Sequence, residues 1–355
     1  MNWNNRVARL LKVKYPFVQA PMLVVTTPEM IAAAAEAGCL GMLPLGYHSA
    51  EKAGSAIRSV KKLSSKPFGV NLFAYEKPGH VQPRDTSTLQ TLYNKFHLPF
   101  FEQIPQTDPY TYYTELIDLI IEERIPAVSF HFGIPDDYTI QKLKAAGTAL
   151  LVTATCVEEA VQIEKTDVDL IIAQGIEAGG NRGSFLKDVV PQTGLISLLP
   201  QIKEAVSLPV IAAGGIMQPS STAAAFLLGA EGVQLGSAFI CAKESGATNS
   251  WKQAVKKSRD TSSVLTNKWS GKWGRCIPTS FVLDLPEKEV YPSPIQQFLT
   301  STIREHGRKQ DIEDIQSFWA GQSARFASDK GTKEILEELI TGADDLLSRP
   351  FSFSQ

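Results

Sequence analysis

Eight short stretches of the chain are continuously apolar: residues 17–22, 39–45, 68–73, 127–132, 149–154, 170–174, 209–213 and 232–239. None alternates apolar with polar positions, so each is expected to be buried on both faces. That is the condition of strands in a parallel sheet covered by helices. Between them lie segments with helical spacing and clear punctuation. Thr26, Thr27, Pro28 and Glu29 supply a cap, a first-turn proline and an acidic residue, and the alanine-rich helix that follows stops at Gly38. Residues 49–63, 137–146, 157–164, 195–206 and 220–228 read the same way, with starts at Thr155 and Pro219 and stops at Gly147 and Gly229. Eight strands with helices between them predict an α/β protein, a (β/α)8 TIM barrel. A doubly wound sheet is the alternative, because a strand count does not show closure.

Two stretches fall outside the repeat. Residues 74–126 are longer than one strand-to-strand connection requires; Pro78, Gly79, Pro83 and Asp85 mark a loop there, and 108–123 reads as a helix leading into the fourth strand. Residues 241–355 show no strong strand pattern. They hold charged helical segments at 250–259, 294–306 and 333–347, and a tight turn around Ser270–Arg275. Because a TIM barrel typically takes ~250 residues, the 355-residue chain divides into a barrel over 1–240, carrying an insertion at 74–126, and a mostly helical C-terminal lid over 241–355.

Active sites of parallel α/β proteins lie at the C-terminal strand ends. Glycines cluster at the last three of those ends: Gly175, Gly179, Gly180 and Gly183, then Gly214 and Gly215, then Gly236. Glycine lets the backbone approach a ligand closely and turn its N–H groups toward phosphate oxygens. One glycine pair is explained by ordinary turn chemistry, but three successive glycine-rich ends favour a mononucleotide phosphate cradle. Neither a P-loop nor a Gly-x-Gly-x-x-Gly dinucleotide fingerprint is present.

The segments Ala20-Pro21-Met22, Gly69-Val70-Asn71, Ser129–Pro135, Ala173–Gly180, Ala212–Ile216 and Gln234–Ser237 together resemble the nitronate monooxygenases, formerly 2-nitropropane dioxygenases. The likeness continues into Tyr291-Pro292-Ser293-Pro294, Leu299-Thr300 and Trp319–Ser323, and so spans about residues 15–325. It implies an FMN-dependent TIM barrel that oxidises alkyl nitronates, such as propionate 3-nitronate, with molecular oxygen. By this resemblance Met22 and Asn71 contact the flavin ring region, and Gln174 lies near its polar edge. Gly179, Gly180, Gly214, Gly215, Gly236 and Ser237 hold the ribityl phosphate. Thr153 and Gln234 occupy the same strand ends as further candidates, where a polar side chain can equally support its neighbours.

One departure bears on mechanism. The family usually reads Glu-Ala-Gly-Gly-His, and Asn181 stands here at the histidine position. Imidazole accepts a proton near neutral pH, whereas a carboxamide does not. An anionic nitronate needs no such base, so the change points to preformed nitronates, to different flavin chemistry, or to a catalytically impaired FMN-binding homologue. His131 is the remaining candidate base, with a structural imidazole between Phe130 and Phe132 as the competing reading. His48, His80, His97 and His306 read as surface residues, and no two histidines stand at metal-ligand spacing. Tyr110, Tyr112, Tyr113 and Tyr291 either line a substrate pocket or pack the lid; Trp269 and Trp273 pack the tail. Lys243 and Arg275 are basic residues that would attract an anion or simply be solvated.

Composition sets the remaining limits. Lys plus Arg is 35 and Asp plus Glu 37, a net charge of -2, which argues against nucleic acid as a partner. No run of 18 apolar residues and no secretory leader is evident, so a cytoplasmic protein without a membrane partner is expected, monomeric or homodimeric. Cys39, Cys156, Cys241 and Cys276 are widely spaced, and three adjoin apolar runs, which favours buried thiols over disulfides or zinc. A competing activity on the same fold is an NAD(P)H-dependent FMN reductase acting on quinones or enoyl thioesters.

Overall fold

A computed structural model describes residues 2–74, 81–101, 113–186 and 190–349. Eight parallel strands close into a barrel: β1 (Phe17–Gln19), β2 (Leu40–Pro44), β3 (Gly69–Phe73), β4 (Ala127–His131), β5 (Ala149–Ala154), β6 (Leu170–Gln174), β8 (Val210–Ala213) and β9 (Gly232–Leu235), with β9 pairing back onto β1 through Phe17 and Val233. All eight apolar runs supply one strand each, so the closed barrel stands and the doubly wound alternative does not. The first and last runs are shorter as strands than as apolar stretches. The residues after β9 turn into a 3-10 helix at Ser237–Phe239.

Side-chain alternation explains why the runs are continuously apolar and where they cease to be. Inside the barrel, Val18, Leu40, Met42, Ala127, Leu151, Leu170, Ile172 and Ile211 form one cluster, sealed below by Val7 and Leu11 of the N-terminal helix Arg6–Leu11. The residues between these point outward, as Val70, Val128, Leu150, Ile171 and Val210 do, and join the larger core under the surrounding helices. Continuing the inward period of two toward the C-terminal ends reaches Asn71, Ser129, His131, Thr153, Gln174 and Gln234. The topmost inward layer is therefore polar over an apolar plug.

The helices start as their punctuation predicts: the side chains of Thr27, Ser49 and Asp136 accept N–H groups at the first turns of their helices. In the insertion, the described part of the helix read at 108–123 is Tyr113–Glu122, and a further helix, Ser87–Lys95, was not apparent. That helix packs on the C-terminal region: Leu89 joins Trp269, Tyr291 and Leu299 in one cluster, and the Tyr93 hydroxyl donates to the Leu299 carbonyl at 2.7 Å.

The C-terminal region, read as mostly helical, also holds short strands that the sequence did not reveal. It contains three strands, β10 (Val264–Thr266), β11 (Gly274–Ile277) and β12 (Phe318–Trp319), in an antiparallel sheet. A fourth short strand, β7 (Gly180–Asn181), comes from the loop after β6 and pairs with β11, Asn181 opposite Gly274 and Gly180 opposite Arg275. Strands of two to four residues carry too little periodicity to be seen in sequence. Their effect is large, because they tie a barrel loop to a segment roughly ninety residues away.

Gly274 sits at that junction, and a Cβ there would lie 2.8 Å from the Gly180 carbonyl oxygen and 2.7 Å from the Trp319 ring. Gly274→Ala is expected to cost about 1–3 kcal/mol by overpacking, read as a lowered melting temperature, whereas Gly147→Ser, with nothing within 4 Å, should show only the smaller cost of its positive φ.

Candidate active site

The polar top layer opens into one cavity at the C-terminal mouth of the barrel, about 1440 Å3 of empty space with its opening included. Every residue given a catalytic or flavin-binding role from the sequence lines it: Met22, Asn71, His131, Thr153, Gln174, Gly179, Gly180, Asn181, Gly214, Gly215, Gln234, Gly236 and Ser237. The strand ends and the loops after β6, β8 and β9 therefore converge as the barrel topology requires.

The loop after β6 is held by an unusually complete set of bonds to one carbonyl. His131 Nε2 lies 3.0 Å and Gln174 Nε2 3.1 Å from the Asn181 main-chain oxygen. A carbonyl only accepts, so both side chains donate to it, and His131 is the Nε2-protonated tautomer. Its other nitrogen, Nδ1, then accepts the Thr153 hydroxyl at 3.2 Å. The Gln174 carboxamide is also spent: its Oε1 accepts from the Gly183 N–H at 2.9 Å. Below the loop, the buried Arg182 guanidinium donates to the carbonyls of Gln174, Gly175 and Pro191, and the Arg182 N–H donates to Trp273 O at 2.8 Å.

These contacts decide between the two readings of His131. Desolvation pushes its pKa down to about 4, and the nearby Arg182 and Lys272 charges add to the fall. Lys272 Nζ stands 5.2 Å over the adjacent Phe132 ring. A neutral imidazole with both nitrogens engaged fixes a loop and has no lone pair left for a substrate proton. Glu177, the carboxylate among the lining residues, accepts the Leu195 N–H with both oxygens at the start of the helix Leu195–Ala205.

Asn181 presents a carboxamide whose Oδ1 takes the Ser270 hydroxyl at 3.1 Å, and its Nδ2 has no partner among the described residues. Asn71 donates through Nδ2 to Ser129 O and Oγ at 3.1 and 2.9 Å. At the opposite wall, Gly214 and Gly215 have φ of 118° and 69°, and Gly180 has φ of 78° with open space where a Cβ would be. Gly179 is needed for another reason, since a Cβ there would fall 2.5 Å from the Gly321 nitrogen. Ser237 Oγ accepts that same Gly321 N–H at 2.9 Å.

Several lining residues were not singled out from sequence. Trp319, Gly321 and Ser323 bring the C-terminal segment to the glycine-rich wall, and only the likeness over 319–323 hinted at them. Arg304 and Gln297 reach the cavity from the tail, beside Tyr47 and Phe73. Arg304 donates Nε to Thr300 O at 3.3 Å and Nη2 to Gln297 O at 3.1 Å, and no carboxylate pairs with it among the described residues. Burial lowers its pKa to about 10, so it keeps its charge at neutral pH. No local sequence signal marks it.

Other sequence expectations fall outside the cavity. Tyr291 is buried, its hydroxyl bonded to the Arg84 backbone, and Tyr113 packs in the main core; both are packing residues, while Tyr110 and Tyr112 lie outside the described residues. Arg275 is neither solvated nor at the cavity: it is buried, donating to Ile176 O and Ser263 O. Lys243 is exposed. Trp269 is fully buried and stacked on Phe281, but Trp273 is 37% exposed and so does little of the packing expected of it. His48 is half-buried with an unpartnered Nδ1 and His306 half-buried beside Phe96, unlike exposed His97; His80 lies outside the described residues. Cys39, Cys241 and Cys276 are buried free thiols.

The sequence profile of the nitronate monooxygenase family matches residues 4–342. The chain belongs to that family. A probable nitronate monooxygenase of Staphylococcus aureus (strain Newman) is 38% identical over 97% of this chain and 99% of its own length, and one from Staphylococcus saprophyticus is 36% identical over 98% and 100%. Among solved structures, nitroalkane oxidase from Streptomyces ansochromogenes superposes with a TM-score of 0.86 at 34% identity, covering 95% of this chain and 98% of its own. FabK from Thermotoga maritima superposes at 0.76 and 28%, covering 97% of each. This nitronate monooxygenase family member is accordingly a flavin-dependent oxidoreductase on a TIM barrel.

His131 supplies a pH test. Its pKa is about 4 in the folded chain against 6.5 unfolded, so the unfolded state binds more protons between those values. Stability should be full above pH ~6.5 and fall by about 2–3 kcal/mol as pH drops toward 4. Denaturant unfolding across that range should show this slope in the wild-type chain and a flatter one in His131→Asn.

Proposed function

We propose that the chain oxidises preformed alkyl nitronates with molecular oxygen, using FMN, to a carbonyl compound and nitrite or nitrate. The observation that carries this reading is that the titratable acceptors among the described lining residues are already engaged by the chain, in a cavity that also offers cationic and amide donors. Among the described lining residues, His131 has both nitrogens engaged and Glu177 has both oxygens on Leu195. A neutral nitroalkane would have to surrender a proton to one of them, whereas a nitronate arrives already deprotonated.

The residues fit the flavin. Positive-φ glycines at Gly214 and Gly215, with Gly236 and Ser237 alongside, suit a phosphate held by backbone N–H groups, which requires no basic surface. Gln234 Oε1 is buried without a partner, an acceptor waiting for a donor such as a ring N–H or a ribityl hydroxyl. Met22, Asn71, Thr153 and Gln174 surround the space between. Bound FMN supplies the electron acceptor. The chain's own part is to hold the nitronate: Asn181 Nδ2 offers a donor to a nitro oxygen, and the His131–Gln174 clamp keeps Asn181 where it stands. The NAD(P)H-dependent reductase remains the competing activity, but nothing in the cavity favours it. The test is anaerobic bleaching of the flavin. Ethylnitronate should reduce it, while neutral nitroethane and NAD(P)H should not, and rapid bleaching by either of the last two would overturn the proposal.

Arg304 bears on which nitronate. A charged guanidinium with no carboxylate partner among the described residues, facing the cavity beside Tyr47 and Phe73, suits a substrate with a second anionic group, as in propionate 3-nitronate. Charge-assisted hydrogen bonds contribute about 1.5–3 kcal/mol. Arg304→Met should therefore raise KM for propionate 3-nitronate by roughly 10- to 100-fold while changing that for ethylnitronate about twofold at most.

A further inference from the structure

Two of the buried side-chain polar atoms that lack any partner belong to residues of the same cavity. One is the acceptor Gln234 Oε1; the other is a donor, Trp251 Nε1. Trp251 is 4% exposed and comes from the helix Asn249–Lys257, the first helix of the C-terminal region after β9. An indole N–H is a donor only, and leaving one buried and unpaired is costly enough that most native structures avoid it. Apolar packing alone does not account for this one.

The position of Trp251 indicates what it would meet. Its ring stacks on Phe318, with centroids 6.0 Å apart and planes at 23°. Phe318 leads directly into Trp319–Ser323, the segment whose Gly321 N–H donates to Ser237 Oγ. Ile240, which follows the Ser237–Phe239 helix, lines the cavity together with Trp251. The indole thus stands on the side of the cavity where β9 ends and the C-terminal segment closes over Gly236 and Ser237. Donors gathered there are backbone N–H groups, and the ligand chemistry they suit is a phosphate.

Resting on the flavin reading above, we propose that Trp251 is a phosphate-binding residue, donating its indole N–H to the phosphate of the bound FMN. The Phe318 stack holds the ring in place, and the C-terminal region completes a cradle that the barrel loops leave open. This makes the tail part of the cofactor site.

Riboflavin, which lacks the phosphate, separates this role from packing. Trp251→Phe keeps the stacked ring and removes only the donor. Apoprotein titrated by flavin fluorescence quenching should bind FMN roughly tenfold more weakly in Trp251→Phe, the size expected for one hydrogen bond to a charged group, with riboflavin affinity unchanged. Equal weakening toward both flavins, or no change toward either, overturns the assignment. The wild-type chain gives an independent readout should the variant fold poorly. With 15N-tryptophan labelling, the Trp251 indole N–H resonance should move downfield with FMN and not with riboflavin; identical spectra with the two flavins overturn it too. A wild-type chain that takes up neither flavin overturns the flavin reading itself, and this proposal with it.

Discussion

The site depends on one carbonyl group. The Asn181 oxygen receives two N–H donors, from His131 on β4 and Gln174 on β6, and its residue pairs through β7 with Gly274 of the C-terminal sheet. A glycine-rich loop of this length has little stiffness of its own. Its position is set by donors that the barrel presents at fixed spacing and by a sheet edge that comes from the tail. Arg182 beneath it, buried and bonded to three carbonyls, closes the remaining freedom. Loss of any one partner leaves a buried polar group unsatisfied, at about 1–3 kcal/mol each.

That arrangement also shapes the chemistry. By spending His131 on the loop, the chain gives up an imidazole base and keeps the ring neutral. At the position where the family resemblance implies a histidine, Asn181 offers a carboxamide, which is no base. Besides the Glu177 carboxylate, held on the Leu195 N–H, and the Gln234 acceptor, the mouth presents donors: a carboxamide, a half-buried guanidinium at Arg304, and backbone N–H groups at glycines. Donors of this kind bind anions and do not remove protons, which is the physical basis of the proposal that the substrate is a preformed nitronate.

Much of the barrel was legible in the chain because its cause is local. Eight continuously apolar runs report strands buried on both faces, and the polar residues at inward positions near several of their C-terminal ends mark the cavity above them. The same alternation places Asn71, Thr153, Gln174 and Gln234 at the mouth. The C-terminal sheet was not legible, because Val264–Thr266, Gly274–Ile277 and Phe318–Trp319 are too short to show a period and gain their order from one another. Arg275 and Tyr291 read as candidate pocket residues for the same reason: their chemistry suits a pocket, and only their burial elsewhere excludes them.

By itself the sequence determined the strand count, the glycine-rich ends and the carboxamide at position 181, since these follow from residue type and near-neighbour spacing. Only the tertiary structure decided that His131 is a clamp, that Arg304 has no carboxylate partner among the described residues, and that Trp251 is a donor without an acceptor there. Each of those is a statement about whether a buried polar group is satisfied. Its answer lies with residues tens to hundreds of positions away, whose approach is set by the packed fold and not by the local chain.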